Sequence, residues 1–306
     1  MEVVAVDGRL KKCILDLKRK KQALILAHNY QRAEIKEVSD FTGDSLELSR
    51  RAAEAGGSLI VFCGVRFMAE TAKILNPEAR VLLPRSDAGC PMADMVEPFH
   101  VASLRAQHPD AAICAYVNSS ASVKACVDVC CTSSNALLVV KGLAQGKVIM
   151  LPDRNLASWV AKHTEKTIIP FEGHCYVHRK FRASDLVQAR RAHPDALIIA
   201  HPECDPVVLD LADEVASTSG MLRIAHETGN RELVIATEWG IIEQLKAAFP
   251  DKPVYSAGAA RTCFNMKKTT AEDVLLALEE DRYPVSLSAD VIEAAGKALR
   301  LMLELS

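Results

Sequence analysis

HPDAAICAYVN at residues 108–118 returns at residues 193–203 as HPDALIIAHPE, an offset of 85 residues. In both copies a His-Pro-Asp-Ala start leads into an apolar run that ends in polar residues. The same offset carries Cys90 onto Cys175 and Asp128 onto Asp213. Similarity that stays in register at several separated positions indicates that the chain contains repeated structural units.

A third copy precedes these two and is related to the middle one by an offset of 88 residues. Each copy carries three landmarks: an apolar segment with a polar tip, a turn rich in serine and threonine, and a cysteine that follows another apolar segment. The apolar segments with their polar tips are LILAHNY (24–30), ICAYVN (113–118) and LIIAHPE (197–203). The turns are GDS (43–45), TSS (132–134) and STS (217–219), and the cysteines are Cys90, Cys175 and Cys263. We therefore predict a triplicated chain.

The alternation of segments within each copy predicts an α/β fold. Short continuous apolar runs are typical of strands buried on both faces of a parallel sheet. They are ALILA (23–27), LIVFC (59–63), KVIML (147–151), ALIIA (196–200) and ELVIA (232–236). Amphipathic segments lie between them, and the one at 45–57 has Asp44 and Glu47 in capping-box spacing. We expect three α/β/α domains with small parallel sheets, related by a pseudo-threefold axis around a central cavity.

The repeat boundaries divide the chain into residues 1–98, 99–185 and 186–306. The last unit is followed by two more amphipathic segments from residue 271 onward. The first of them is similar to the helix that opens the other units. We therefore expect the C-terminal helices to pack back against the first unit and complete it.

Composition and charge exclude several classes of protein. The chain has 306 residues, with 37 Lys and Arg against 39 Asp and Glu, so a basic nucleic-acid-binding surface is not indicated. No apolar run reaches the roughly 18 residues of a membrane span. The N-terminal stretch MEVVAVDGRLKKC has no secretory pattern. We expect a cytoplasmic protein that binds neither nucleic acid nor membrane.

Three of the ten cysteines form a set, although none belongs to a CxxC motif. Because ligands of parallel α/β units bind at the carboxyl ends of strands, Cys90, Cys175 and Cys263 would converge on the axis. Three thiolates leave one coordination position free, as a Lewis-acid catalyst requires, and they favour zinc or an iron–sulfur cluster. His178 lies three residues beyond Cys175 and is expected to face the same cavity.

The other cysteines are interpreted as structural. Cys204 has no counterpart at the cysteine landmark of its repeat, so we expect that it is not a ligand. The rest are expected in the core, with Cys126, Cys130 and Cys131 on or beside a helix and Cys13, Cys63 and Cys114 in apolar patterns.

At these residues the sequence resembles the quinolinate synthase family. The matching segments run in order along nearly the whole chain and include AHNYQ (27–31), GDSLELSR (43–50), GCPMAD (89–94), GHCYVH (173–178), AHPEC (200–204), ATEWG (236–240) and CFNMKKTT (263–270). The lead-in PFEGHC before Cys175 departs from the expected pattern, which leaves the shape of that loop open. The resemblance implies a triangular three-domain fold with a central [4Fe-4S] cluster held by Cys90, Cys175 and Cys263.

The resemblance also implies the reaction: condensation of iminoaspartate with dihydroxyacetone phosphate to quinolinate, with release of phosphate and two waters, in NAD biosynthesis. Because iminoaspartate is unstable, an L-aspartate-oxidising enzyme must supply it nearby. Substrates with two carboxylates and a phosphate require hydrogen-bond donors and helix N-termini, and the proton transfers require acids and bases. The expected substrate-binding residues are His28, Ser45, Asn118, Ser133, His178, His201, Glu203 and Thr218. The expected acid/base residues are Glu203, Tyr30, Tyr116 and His201.

Three other functions are compatible with the cysteine set alone. A three-cysteine zinc hydrolase would be colourless and contain about one zinc per chain. An iron–sulfur sensor would lack turnover. The many acid/base residues on the same face as the cysteines disfavour this function. In a plain acid- or sugar-binding module the cysteines would be core residues, and replacing them would leave ligand binding intact.

Overall fold

The computed structural model describes residues 6–56, 59–229 and 232–306, and within them lie three parallel sheets of four strands. The first sheet has the order β2-β1-β3-β4 and contains β1 (Ala23–His28), β2 (Phe41–Gly43), β3 (Leu59–Cys63) and β4 (Arg80–Leu82). The second has the order β6-β5-β7-β8 and contains β5 (Ala112–Tyr116), β6 (Val129–Cys131), β7 (Lys147–Leu151) and β8 (Thr167–Pro170). The third has the order β10-β9-β11-β12 and contains β9 (Leu197–Ala200), β10 (Glu214–Val215), β11 (Leu233–Ala236) and β12 (Val254–Ser256).

Helices alternate with the strands in the same way in each unit. The first unit contributes α1 (Gly8–Lys21), α2 (Ala33–Lys36), α3 (Ser45–Glu54) and α4 (Arg66–Leu75). The second contributes α5 (Pro98–Gln107), α6 (Ala121–Lys124), α7 (Ala136–Gly142) and α8 (Arg154–Lys162). The third contributes α9 (Ala183–Ala192), α10 (Pro206–Leu209), α11 (Thr218–Glu227) and α12 (Trp239–Ala248), and the chain ends with α13 (Ala271–Glu280) and α14 (Ala289–Glu304). The predicted capping box of Asp44 and Glu47 begins α3.

The three units share one backbone plan, which confirms the predicted α/β class. The equivalent strand pairs have equivalent registers: Ile25 with Val61, Ile113 with Ile149, and Ile198 with Val234. One aspartate per unit is hydrogen-bonded to the backbone of the first strand of its unit. These pairs are Asp40 with Ile25, Asp128 with Ile113, and Asp213 with Ile198. Each carboxylate accepts a bond of 2.7–2.8 Å from the isoleucine amide, and each aspartate amide donates back to the isoleucine carbonyl at 2.9–3.1 Å.

The C-terminal helix α13 packs against the first unit. Val274 and Leu278 of α13 join Ile14 of α1 and Ile25 of β1 in one buried cluster. The α14 helix packs on α4 of the first unit but also on α6 and β6 of the second. It therefore joins two units rather than completing one.

The cysteine expectations are partly wrong. Cys130 and Cys131 lie on β6, not on or beside a helix, because α6 ends at Lys124 and the following apolar residues pair with β5. Cys126 is exposed beyond the end of α6, and Cys13 is exposed because α1 buries Ile14 instead. The remaining two, Cys63 on β3 and Cys114 on β5, are buried as predicted. Among the described helices none is long and apolar enough to cross a membrane.

Candidate active site

The carboxyl ends of the three sheets face one cavity, which contains about 710 Å³ of space, part of it open to solvent. Every residue predicted for the site lines this cavity. They are His28, Tyr30, Ser45, Cys90, Tyr116, Asn118, Ser133, Cys175, His178, His201, Glu203, Thr218 and Cys263. Parallel strands bring their ends to one edge of each sheet, so the pseudo-threefold arrangement collects them from distant parts of the chain.

Two of the strand tips hold a histidine in the same way. The Tyr30 amide donates to Nδ1 of His28 at 3.1 Å, and the Glu203 amide donates to Nδ1 of His201 at 3.3 Å. Burial lowers the pKa of each imidazole to about 3, and Lys36 adds to this effect at His28. Both rings are therefore neutral at pH 7, and because Nδ1 accepts, Nε2 carries the proton. Each ring can donate one hydrogen bond to an anionic ligand.

Glu203 lies at the centre of a buried polar network. Its Oε2 is 2.7 Å from Nδ1 of His178 and 3.7 Å from Nδ1 of His201. Asn118 donates to Oε1 at 3.4 Å, and the Tyr116 hydroxyl also bonds the carboxylate. Burial alone would raise the pKa of the Glu203 carboxyl, but its interaction with His178 and the hydrogen bonds from His178 and Tyr116 outweigh burial and lower it. The cavity therefore contains a carboxylate base.

Thr237 connects Tyr30 to this network. Its Oγ1 is 2.7 Å from the Tyr30 hydroxyl and 2.8 Å from Nε2 of His178. A chain of hydrogen bonds therefore runs from the first unit through the third to the second. Sequence reasoning did not single out Thr237 or the neighbouring Glu238, although they follow β11 at its carboxyl end. The rule used for the other strand tips would have found them.

The three cysteine turns have the same backbone geometry. The carbonyls of Cys90, Cys175 and Cys263 each accept from the amide four residues later, at 3.1–3.2 Å. Backbone amides within each turn also donate to the sulfur: those of Met92 and Ala93 to Cys90, of His178 to Cys175, and of Asn265 and Met266 to Cys263. Close approach shapes the turn before Cys175, since a Cβ at Gly173 would lie 2.3 Å from the carbonyl oxygen of Pro152.

Burial raises the pKa of all three thiols, that of Cys90 to about 12, despite the amide donors. A set of half-buried sulfurs with amide donors, from three separate segments, suits a cation or cluster that stabilises the thiolates. This chemistry fits an iron–sulfur group or zinc.

A second donor set overlaps with the cysteines. The ligand atoms of Cys175, His178 and Glu203 all lie within 4.8 Å of one another, so this group could hold a metal ion. Nδ1 of His178 is 3.2 Å from the sulfur of Cys175. The cavity therefore offers sulfur, nitrogen and oxygen donors at one place.

Three predicted residues, Ser45, Ser133 and Thr218, bring hydroxyl groups to the cavity lining. Ser45 and Thr218 are the first residues of α3 and α11, and Ser133 lies in the turn before α7. Asn29 donates to Oγ1 of Thr218 at 2.9 Å, and Ser217 donates to Asp44 at 3.1 Å. Helix N-termini carry partial positive charge, so these positions favour an anionic group, although the Leu46 and Glu47 amides of α3 already donate to Asp44.

The chain is similar to known proteins over nearly its whole length. The profile of the family described as "Quinolinate synthetase A protein" matches residues 12–304. The chain is 50% identical over 293 residues to "Quinolinate synthase" of Thermodesulfovibrio yellowstonii, covering 95% of this chain and 97% of that protein. It is 50% identical over 299 residues to "Quinolinate synthase" of Caldicellulosiruptor saccharolyticus, covering 97% of this chain and 99% of that protein. It is 48% identical over 292 residues to the protein of the same name from Methanoregula boonei, covering 95% of this chain and 97% of that protein.

Proposed function

The chain belongs to the quinolinate synthetase A family, and we propose that it condenses iminoaspartate with dihydroxyacetone phosphate to form quinolinate in NAD biosynthesis. The reaction releases phosphate and two waters, which balances its atoms. This makes the enzyme a condensing and dehydrating transferase. Its substrates are small molecules, and it works in the cytoplasm near an L-aspartate-oxidising enzyme that supplies the unstable iminoaspartate.

Cys90, Cys175 and Cys263 hold a [4Fe-4S] cluster in this proposal. The support is the donor set: three half-buried sulfurs in equivalent turns, each with backbone amides donating to it. With three protein ligands, such a cluster would have one iron without a protein ligand, and it would supply a Lewis acid that makes hydroxide a better leaving group. The sulfurs come from all three units, so the site exists only in the assembled fold.

The hydroxyl residues of the cavity lining bind the anionic groups of the substrates. Ser45, Ser133 and Thr218 surround the cavity at helix starts and in turns, where hydroxyls and amides can receive a phosphate or carboxylate. The Nε2 protons of His28 and His201 donate to the remaining carboxylates. Both rings stay neutral at pH 7, so they orient the substrate without transferring a proton to it.

Glu203 is the proton acceptor. Carbon–carbon bond formation, tautomerisation and dehydration each move a proton, and a carboxylate held ionised in a closed site can accept one. Tyr116 and Asn118 bond this carboxylate and orient it. Tyr30 is linked to the same group through Thr237 and His178, so its hydroxyl is placed to donate a proton within the same cavity.

The observation that carries the proposal is the presence of Glu203 and the three cysteines in the lining of one cavity. The test is purification without oxygen, iron and sulfide analysis, and an assay of quinolinate from the two substrates. We expect brown protein with about four iron and four sulfide per chain. Active protein that is colourless, or that contains about one zinc per chain instead, would contradict the cluster.

A further inference from the structure

The side chain of Tyr176 reaches from the second unit to the cysteine turn of the third. Tyr176 directly follows Cys175, yet its hydroxyl oxygen lies 3.6 Å from the sulfur of Cys263. The same oxygen lies 3.0 Å from the amide nitrogen of Phe264. Two cysteine turns are thus joined by one phenol group.

The direction of these hydrogen bonds follows from chemistry. An amide N–H only donates, so the tyrosine oxygen accepts from Phe264 and its own proton is free to point elsewhere. The Cys263 sulfur is the remaining partner within reach. The Lys180 ammonium group lies 5.5 Å from the centre of the tyrosine ring and helps to hold the ring in place.

The repeats show that this contact is particular to one unit. The residue after the cysteine is Pro91 in the first unit and Phe264 in the third, and neither has a hydroxyl group. Cys263 is therefore the ligand that receives a phenolic donor in addition to its backbone amides. The sulfur of Cys175 has no phenolic partner in its own turn and lies 3.2 Å from Nδ1 of His178.

We propose that Tyr176 is a positioning residue that donates a hydrogen bond to the Cys263 thiolate, ties the second and third cysteine turns together and raises the reduction potential of the cluster. The inference rests on the proposed function, because it requires the cluster. A hydrogen bond to a ligand sulfur stabilises the extra negative charge of the reduced state, so removing it makes the midpoint potential more negative.

The experiment compares anaerobically purified wild type with Tyr176→Phe, and with 3-fluorotyrosine placed at residue 176. Iron and sulfide content is measured first, and the midpoint potential is then obtained by redox titration followed by electron paramagnetic resonance. We expect Tyr176→Phe to shift the potential downward and to lose iron several-fold faster in air. The fluorinated residue is a stronger donor, so it should shift the potential upward, which a purely structural role would not do.

Tyr283→Phe is the matched control, because Tyr283 is exposed and outside the cavity lining. A loaded Tyr176→Phe protein with the wild-type potential would overturn the inference, and so would a fluorotyrosine protein that shifts in the same direction as Tyr176→Phe. A folded Tyr176→Phe protein that cannot retain iron would support the proposal that the Tyr176 hydroxyl holds the second and third cysteine turns together. Wild type that contains no cluster would instead overturn the proposed function.

Discussion

The ammonium group of Lys267 lies 3.3 Å from Oε1 of Glu238, and both side chains are buried beside the cavity. Lys267 also donates to the carbonyl of Tyr30, while Glu238 accepts from the Cys263 amide at 3.2 Å and the Gly240 amide at 2.6 Å. A Cβ at Gly240 would lie 2.8 Å from both charged groups. The ion pair therefore joins the first unit to the cysteine turn of the third.

Breaking this pair should destabilise the protein. Glu238→Gln or Lys267→Met alone leaves a buried charge without its partner and should lower the free energy of unfolding by about 3–5 kcal/mol. The double variant should lose less than the two single losses together, because neither charge remains. Urea unfolding measures the effect. Lys297→Met at the exposed pair with Glu293 is the control and should cost less than about 1 kcal/mol.

The cysteine assignment predicts four outcomes that iron and sulfide analysis can separate. Cys90→Ala, Cys175→Ala and Cys263→Ala should each abolish the cluster. Cys204→Ser should retain it, since Cys204 is buried in another part of the core, where its thiol donates to the Ala236 carbonyl at 3.5 Å. Loss of iron from the Cys204 variant would show that the ligand set is wrong.

Glu203→Gln separates proton transfer from cluster binding. The amide preserves the size of the side chain and its contact with Asn118, so iron content should stay at the wild-type level. Quinolinate formation should fall about 10²–10⁴-fold, the range expected when a general base is removed. Glu243→Gln on α12, outside the cavity lining, is the control. Near-normal turnover of the Glu203 variant would remove this residue from the mechanism.

Gly173→Ala tests the close approach before Cys175. The new Cβ would lie 2.3 Å from the Pro152 carbonyl oxygen, so the turn must move and the cluster content should fall. Gly146→Ala places its Cβ where no atom lies within 4 Å and should leave iron content unchanged. Equal iron content in both variants would show that the turn tolerates displacement.

The hydrogen bonds between the aspartates and the strand backbones predict a pH dependence of stability. Burial would raise the pKa of Asp213, but Arg190 and the Ile198 amide outweigh burial and lower it. A carboxyl whose folded pKa lies below its unfolded value of about 3.9 stabilises the fold above that pH, and this contribution disappears as the pH falls through the folded pKa. Asp213→Asn should therefore lose stability at pH 7, by at most about 1 kcal/mol because the pair is partly exposed.

Thermal unfolding at pH 7 and near pH 2 checks this prediction. The difference between Asp213→Asn and wild type should shrink as the pH falls, because protonation removes the charge of the wild-type carboxyl. Asp251→Asn, at an exposed position in a loop, is the control. A difference that stays constant across this range would contradict the assigned charge interaction.

Local sequence patterns determined the repeats, the strands and the capping box, because these depend on residues close in the chain. The repeat also placed Cys90, Cys175 and Cys263 on one cavity, since equivalent positions on symmetric units face the same axis. Contacts between units were decided only by the tertiary structure. The bond from Tyr176 to Cys263 and the pair of Glu238 with Lys267 depend on how one unit packs against another, and no spacing encodes that packing. The exposure of Cys13 was likewise set by which face of α1 the rest of the fold covers.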